Sequence, residues 1–195
     1  MIEVLTDKKN VLLTTSRRPT RDMRTLCRDF SHSFPNVVRV NRGKLSLDGL
    51  AEKALEFKAD RVMVIDRWKG GPGKIRFFNV GLEGLEMVPP LVYMKGVKLR
   101  RDFGESMPRG RRIKSLAVVT SAKRSLAVER LCRVLSSFFG IPVLSLKEAV
   151  NRGCDAVMSV SADSSGFLTL TFMLVPEFVE VGPRIRVSRL VWELS

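Results

Sequence analysis

Arginines in the first quarter of the chain recur at spacings of three and four residues, at Arg17, Arg21, Arg24 and Arg28. On an α-helix such spacing aligns side chains along one side. The two acids of this segment, Asp22 and Asp29, fall outside the row. Guanidinium groups bind phosphate oxygens through a planar fork of donors. A row of guanidinium groups without interleaved carboxylates therefore predicts a surface that binds an anionic polymer.

The residues around this row predict a short strand followed by a helix. Residues 11–13 are an apolar run typical of a buried strand, and Pro19 suits the first turn of a helix that ends near Phe34. Apolar residues at helical spacing form the other face of that helix: Met23, Leu26, Cys27, Phe30 and Phe34. Because helix N-termini bind anions, the turn between strand and helix adds Ser16, Arg18 and Thr20 as candidate phosphate ligands.

Two further predicted loops are basic and contain glycine, whose backbone can approach phosphate closely. One carries Arg42 and Lys44 around Gly43. It precedes a second predicted helix over residues 47–57, whose cap is Ser46 or Asp48. The other is a long glycine-rich hairpin tip with Arg67, Lys69, Lys74 and Arg76. Trp68 in this tip either stacks on a base or caps the core. Each patch alone also fits a solvated surface, but together they favour a binding site.

The overall charge points to the same class of ligand. The 195 residues contain 34 Lys and Arg against 20 Asp and Glu, a formal net charge of +14. In a folded chain, with 45% hydrophobic residues, this excess indicates nucleic acid first and an anionic membrane surface second. Arginines outnumber lysines in this sequence. Arginine enrichment also accompanies thermal stability in some families, so this excess alone does not establish nucleic-acid binding. The sequence has no run of about 18 apolar residues and no signal pattern at its start, so we expect a cytoplasmic protein without a membrane segment.

The order strand, helix, strand, helix, hairpin is predicted twice along the chain. At a constant offset of 105 residues, Leu26-Cys27-Arg28 matches Leu131-Cys132-Arg133, and Phe34 matches Phe139. We therefore predict an α/β protein with two tandem similar halves, each a mixed β-sheet with packed helices. The predicted halves are residues 1–99 and 115–195, joined by a basic connector, residues 100–114, that includes Arg109, Arg111 and Arg112.

The positive charge is concentrated in the first half and the connector. Residues 1–114 carry 25 Lys and Arg against 13 Asp and Glu, whereas residues 115–195 carry 9 against 7. Glu129 stands in the second half where Arg24 stands in the first, so the arginine row is broken there. We expect residues 1–114 to form the binding surface and the second half to support it.

No arrangement of residues in the sequence favours catalysis or metal binding. His32 is the single histidine, so a Ser-His-Asp triad or a histidine metal site has no evident partner for it. Cys27, Cys132 and Cys154 are odd in number, widely spaced and set among apolar residues, which is typical of buried side chains. Residues 70–74 lack the glycine spacing and the Ser or Thr of a phosphate-binding loop. We expect no catalytic residues, no metal and no cofactor.

Several segments, taken in order, resemble the Brix domain family of ribosome-biogenesis proteins. They are Thr-Ser-Arg-Arg-Pro-Thr at 15–20, Phe-Pro-Asn at 34–36, Asn-Arg-Gly-Lys-Leu-Ser-Leu at 41–47, Ala-Asp-Arg-Val at 59–62, Pro-Gly-Lys-Ile-Arg-Phe at 72–77 and Glu-Val-Gly-Pro-Arg at 180–184. The last segment adds Arg184 to the candidate RNA ligands. The chain is most similar to the small-subunit branch of the family and to its minimal archaeal versions. Residues 87–93 depart from the Gly-Pro-Thr-containing stretch that family members commonly carry in mid-chain.

The resemblance implies an rRNA-binding assembly factor that is not an enzyme. It also implies a single Brix-like domain, residues 1–195, whose halves are each similar to the anticodon-binding domain of class II aminoacyl-tRNA synthetases. The implied partners are rRNA or pre-rRNA, small guide RNA–protein complexes and other assembly factors, with the protein itself a monomer. Two alternatives stay open: a protein–protein adaptor that uses residues 179–192, and a nucleic-acid-modifying enzyme.

Replacing Arg17, Arg21 and Arg24 together by alanine should weaken RNA binding by about tenfold or more, because each substitution removes a guanidinium that binds phosphate. The thermal transition should stay nearly unchanged, since exposed side chains contribute little to stability. Filter binding and a melting curve measure the two effects. Unaltered affinity would remove the arginine row from the binding surface.

Overall fold

The computed structural model describes residues 9–68, 70–103, 112–120 and 125–193. The first part contains β1 (Val11–Thr15), α1 (Arg21–Ser33), β2 (Val37–Arg39), α2 (Leu47–Glu56), β3 (Arg61–Trp68), β4 (Gly71–Gly81) and β5 (Gly84–Lys98). A short 3-10 helix, Arg100–Asp102, follows. The second part contains β6 (Leu116–Thr120), α3 (Leu126–Phe139), β7 (Val143–Leu144), α4 (Leu146–Asn151), β8 (Ala156–Ala162), β9 (Leu168–Leu174) and β10 (Arg184–Val191).

All these strands belong to one mixed sheet with the order β2-β1-β3-β4-β5-β10-β9-β8-β6-β7. The strands at both ends are parallel: β1 pairs with β2 and β3, and β6 pairs with β7 and β8. The middle strands are antiparallel, and β5 pairs with β10 to join the two parts of the chain. The predicted mixed α/β architecture is confirmed. The similarity of two tandem halves stays a prediction.

The main core lies on one face of this sheet, which α1 and α3 both cover. The rings of Phe34 and Phe139 stack with centroids 4.1 Å apart, and Phe172 of β9 meets Phe34 edge-on at 5.4 Å. Asn36 Nδ2 also donates a hydrogen bond to Phe139 O at 2.7 Å. We call this the helix-covered face.

The opposite face carries two smaller cores, one under α2 and one under α4. The helix α2 covers Leu12, Val62, Val64 and Phe78 of the first strands. The helix α4 lies over the other end of the sheet, against β6 and β8. We call this the outer face; its middle strands lie between the two helices.

The observed helix boundaries agree in part with the boundaries predicted from the sequence. Ser46 caps α2, as predicted, by accepting a hydrogen bond from Gly49 N. The helix α1 begins at Arg21 and not at Pro19, because Thr20 is the N-cap and accepts from Met23 N at 3.3 Å. The helix predicted over residues 47–57 is α2, Leu47–Glu56, and three hydrophobic side chains of that segment, Leu47, Leu55 and Phe57, are exposed.

The long glycine-rich hairpin tip predicted around residues 68–74 was wrong. Strand β3 continues to Trp68, which pairs with Gly71 at the start of β4, so the two strands take up most of the predicted tip. Gly73 lies within β4, and a Cβ placed on it would lie 2.0 Å from Trp68 Cβ. The glycine therefore permits the close approach of Trp68 and does not form a flexible loop.

Replacing Phe139 by alanine should lower the free energy of unfolding by about 3–5 kcal/mol, because it removes a fully buried ring between α1 and α3. Urea denaturation measures this loss. Leu126→Ala is the control in the same helix, since Leu126 is 83% exposed, and it should change stability by less than about 0.5 kcal/mol. Equal effects of the two substitutions would contradict the packing described.

Candidate nucleic-acid interface

A cleft of about 300 Å³ opens at the carboxyl ends of β1 and β2, beside the N-terminus of α1. Four arginines line it: Arg17, Arg24, Arg39 and Arg42. The other lining residues, all in the described part of the chain, are Thr15, Pro19, Cys27, Val40, Asn41 and Gly43, so no carboxylate faces the cleft. The cleft is thus a concave site of concentrated positive charge.

The parallel pairing of β1 with β2 brings the two walls of the cleft together. Loops at the carboxyl ends of neighbouring parallel strands meet at one edge of a sheet, where α/β proteins commonly bind ligands. Val40 N donates to Leu13 O at 2.9 Å, and Thr14 Oγ1 donates to Val40 O at 3.0 Å, which holds the loop after β2 against β1. Arg24 Nη1 donates to Pro19 O at 3.0 Å across the start of α1. The helix N-terminus adds partial positive charge.

Arg42 is the most deeply set cation of the cleft, with 7% of its surface exposed. Its Nε donates to Leu45 O at 2.8 Å, but its Nη1 is buried without a hydrogen-bond partner. Burial lowers the pKa of Arg42, the positive charges of Arg76 and Arg17 lower it further, and Asp66 opposes them. A buried donor left unpaired costs about 1–3 kcal/mol. An anion in the cleft offers the missing acceptor.

Ser16 has a similar unsatisfied group. Its backbone N donates to Ile65 O at 2.9 Å, whereas its Oγ is buried and has no hydrogen-bond partner. Buried side-chain hydroxyls are usually hydrogen-bonded in folded proteins. The turn from β1 to α1 therefore holds a second polar atom available to a ligand.

The acids of α1 are used elsewhere in the fold. Asp22 Oδ1 lies 2.8 Å from Arg101 Nη2. Asp29 is buried and accepts from Arg100 N at 2.9 Å; burial raises the pKa of this carboxyl while the hydrogen bond from Arg100 N opposes the rise. Arg21 and Arg28 are exposed on the same helix, and no carboxylate of the described ranges forms a salt bridge with either. The arginine row of α1 thus keeps its charge.

The other predicted ligands do not line the cleft. Arg18, Lys44, Arg67 and Arg112 are exposed, and Lys74 is half-buried on β4. Arg76 forms a two-pronged pair with Asp66, at 2.5 and 3.2 Å, and Arg184 forms one with Glu180, so these two charges are neutralised within the protein. Lys69, Arg109 and Arg111 lie outside the described residues.

Arg39 is a cleft residue that the sequence reasoning missed. It is the last residue of β2, and its side chain is exposed beside Arg17 and Arg24 in the lining. The alternation of Val37 to Val40 could have placed Arg39 on a solvent-facing side. The order β2-β1-β3, which brings it next to the arginine row, depends on how the strands pair and is not visible in the local sequence.

The thiol in the cleft is unsuited to nucleophilic chemistry. Burial raises the pKa of Cys27 to about 12, only partly opposed by the charge of Arg39, so the thiol stays protonated at neutral pH. Within the described ranges, no group of three or more His, Cys, Asp or Glu could hold a metal ion. None of the helices in those ranges is long and apolar enough to cross a bilayer.

The curated proteins that are similar to this chain are described as Brix domain-containing ribosomal biogenesis proteins. A probable Brix domain-containing ribosomal biogenesis protein of Pyrococcus abyssi is 31% identical over 200 residues, which cover 93% of this chain and 84% of that protein. The chain belongs to the Brix domain family of ribosomal biogenesis proteins. A Brix protein of Thermococcus kodakarensis is 37% identical over 122 residues, and that match spans about half of its length, 54%. No family model matches the chain.

Solved structures agree with the Brix fold. The crystal structure of a probable ribosomal biogenesis protein from Aeropyrum pernix superimposes with a TM-score of 0.78 and 25% identity, over 93% of this chain and 96% of that one. An archaeal Imp4-like protein, Mil, superimposes with a TM-score of 0.65 and 20% identity, over 93% of this chain and 99% of that one, and shares the fold. The large mixed sheet with flanking helices of this Brix protein is therefore the fold of these solved proteins.

Replacing Arg42 by methionine should abolish stabilisation by inorganic phosphate, because the substitution removes the unpaired buried donor. In the wild-type protein a bound anion raises the free energy of unfolding by about 1.4 kcal/mol at ten times its dissociation constant, or roughly 3–5 °C in melting temperature. Melting curves with and without phosphate, at constant ionic strength, measure the shift.

Arg18→Met is the matched control, since Arg18 is a neighbouring but exposed arginine. This control should keep the phosphate-dependent shift of the wild-type protein. A shift that survives in Arg42→Met would show that the cleft does not hold the anion.

Proposed function

We propose that this Brix protein binds rRNA and assists the folding and processing of pre-rRNA during assembly of the small ribosomal subunit. The observation that carries the proposal is the cleft, where four guanidinium groups converge without a facing carboxylate and Arg42 keeps an unpaired donor. Phosphate contacts of this kind position a protein on RNA without reading its sequence. The names of the relatives place those proteins in ribosome biogenesis.

The distribution of charge supports a polymer over a single free anion. Beyond the cleft, Arg21 and Arg28 continue the row along α1, and Lys44 is exposed on the loop that follows Arg42. Successive phosphates of one RNA chain can engage these cations together, and each contact raises the effective concentration of the next. A free ion gains nothing from the cations outside the cleft.

We further propose that residues 1–195 form one domain of two similar halves, 1–99 and 115–195, joined by the basic connector. The element order from β1 to β5 recurs from β6 to β10, and the parallel arrangement β2-β1-β3 recurs as β7-β6-β8. Similarity of each half to an anticodon-binding domain is implied by the family resemblance.

In the described part of the second half, α3 differs from α1 at the positions that suit α1 to phosphate binding. In α3, Val128 is buried and Glu129 is half-buried at the start of the helix, where α1 has Met23 and Arg24. An acid at that point repels phosphate. The proposed roles are therefore RNA binding for the first half and support for the second, in a monomeric, non-enzymatic factor of the cytoplasm. Its further proposed partners are guide RNA–protein complexes and assembly factors.

The alternative role as a protein adaptor through residues 179–192 has weaker support. Strand β10 pairs with β5 on one side and with β9 on the other, so it is not an edge to which a partner's strand could be added. An adaptor would have to use its exposed side chains alone.

Filter binding to fragments of small-subunit rRNA tests the proposal. Replacing Arg17, Arg24 and Arg39 by alanine should reduce affinity by about tenfold to a hundredfold, because the substitutions remove three phosphate-binding groups from one cleft. The matched control replaces Arg133, Lys147 and Arg152, three exposed cations of the second half, and should change affinity by less than about threefold. Both variants have the same net charge.

Two results would overturn the proposal. Weak, non-saturable retention of rRNA by the wild-type protein would favour the adaptor. Equal losses of affinity in the two triple variants would show that net charge, and not the cleft, sets the affinity. Crosslinking in cells followed by sequencing of the attached RNA identifies the bound segment.

A further inference from the structure

The middle of the outer face is a second cationic surface, distinct in chemistry from the cleft. Side chains of directly paired residues lie on the same face of a sheet. The register pairs Asp66 with Lys74, Lys74 with Tyr93, and Tyr93 with Arg189, so these residues form a row across β3, β4, β5 and β10. The alternate residues of the same strands, such as Val92 and Ile75, are buried in the core of the helix-covered face.

Aromatic rings lie on this surface beside the cations. Trp68 is 46% exposed, and its ring meets Tyr93 edge-on with centroids 5.5 Å apart. The guanidinium of Arg189 lies 4.4 Å from the Tyr93 ring centroid. We name this set, Trp68, Lys74, Tyr93 and Arg189, the platform. Trp68 therefore does not cap the core, the second of the two roles that the sequence left open.

A third ring extends the same surface. Phe167 has Lys95 Nζ at 4.2 Å and the Arg186 guanidinium at 4.8 Å from its centroid. Arg186 is paired with Thr169 in the sheet register and also bonds Asp163 at 2.6 Å. The aromatic–cation arrangement thus continues from β3 across to β10.

The charge of the platform is only partly neutralised. Asp66 is engaged by Arg76 and Asp163 by Arg186. Lys74, Lys95 and Arg189 form no salt bridge with any carboxylate in the described part of the chain. The surface thus combines the exposed ring of Trp68 and the half-buried rings of Tyr93 and Phe167 with uncompensated positive charge. Aromatic rings beside positive charge are the composition of single-strand nucleic-acid sites.

We propose that the platform binds unpaired nucleotides of RNA, with bases stacked on Trp68 and Tyr93 and the backbone held by Lys74 and Arg189. The proposal rests on the proposed rRNA binding and adds a contact that selects single-stranded segments. Exposed rings can stack only on bases that are not already stacked in a helix. A duplex presents its phosphates to the cleft equally well but offers no free base to the platform.

The platform is prearranged and adjoins the cleft. Gly73 leaves room for the backbone and Cβ of Trp68, which holds this ring beside Tyr93 without rearrangement. Arg42 of the cleft interacts electrostatically with Arg76 and Asp66, the pair at the edge of the platform row. One RNA strand can therefore pass from the cleft to the platform.

The test compares two RNAs: a blunt hairpin and the same hairpin with a single-stranded oligouridine tail. In the double variant Trp68→Ala and Tyr93→Ala, affinity for the tailed hairpin should fall by about tenfold or more, since base stacking contributes about fivefold or more for each of the two aromatic rings. Affinity for the blunt hairpin should stay within about twofold. The control is Phe57→Ala, because Phe57 is also exposed, at 43%, and has Lys53 Nζ 5.5 Å from its ring.

Unchanged binding of both RNAs by the double variant, or equal loss of affinity for both, would overturn the platform proposal. So would a variant that loses only binding to an acidic peptide, which would make the face a protein-docking surface. If the wild-type protein binds neither RNA, the proposed function fails first. If the cleft variant loses affinity and the platform variant does not, only the platform proposal fails.

Fluorescence gives a second measurement that needs no change to the platform. The chain has two tryptophans, so Trp192→Phe leaves Trp68 as the only one. Oligouridine should then quench the tryptophan emission as it binds, with the same midpoint as the filter assay. Binding without any change in emission would contradict stacking on Trp68.

Discussion

The structure depends on the core that α1 and α3 share beneath one face of the sheet. Phe34 and Phe139 stack there at 4.1 Å, and both helices share one core with strands from either part of the chain. Because the apolar side of α1 is buried in this core, its arginine side faces outward. Because both long helices occupy one face, the middle strands of the other face keep their polar and aromatic side chains exposed.

The pairing of the carboxylates within the protein determines which arginines and lysines are left to bind a ligand. Asp22, Asp29 and Asp66 are each engaged by an arginine or its backbone, and none of the three carboxylates lines the cleft. Buried charge without a partner is costly, yet Arg42 is buried beside other cations and keeps an unpaired donor. An anionic ligand would supply the missing partner, and this connects the packing of the sheet edge to the proposed binding of RNA.

The sequence predicted the features that depend on residues close together along the chain. The row on α1, its apolar face and the Ser46 cap follow from helical spacing and capping chemistry, and the mixed α/β class follows from the order of elements. What failed depends on distant contacts. Strand β4 continues through Gly73, whose missing side chain leaves room for Trp68, and Arg39 and Arg189 acquire their surroundings only through strand order and register. The burial of Arg42, which a glycine-containing loop gives no reason to expect, likewise arises from tertiary packing.

The most direct test of the central claim is the dependence of rRNA affinity on salt concentration. If the arginines neutralise about six phosphates of the RNA, the counterions of those phosphates are released. The logarithm of the affinity should then fall with the logarithm of the salt concentration, with a slope of roughly −4. In the variant that lacks Arg17, Arg24 and Arg39, the slope should be shallower by about 2. A slope near zero for the wild-type protein, or the same slope in both proteins, would contradict the account.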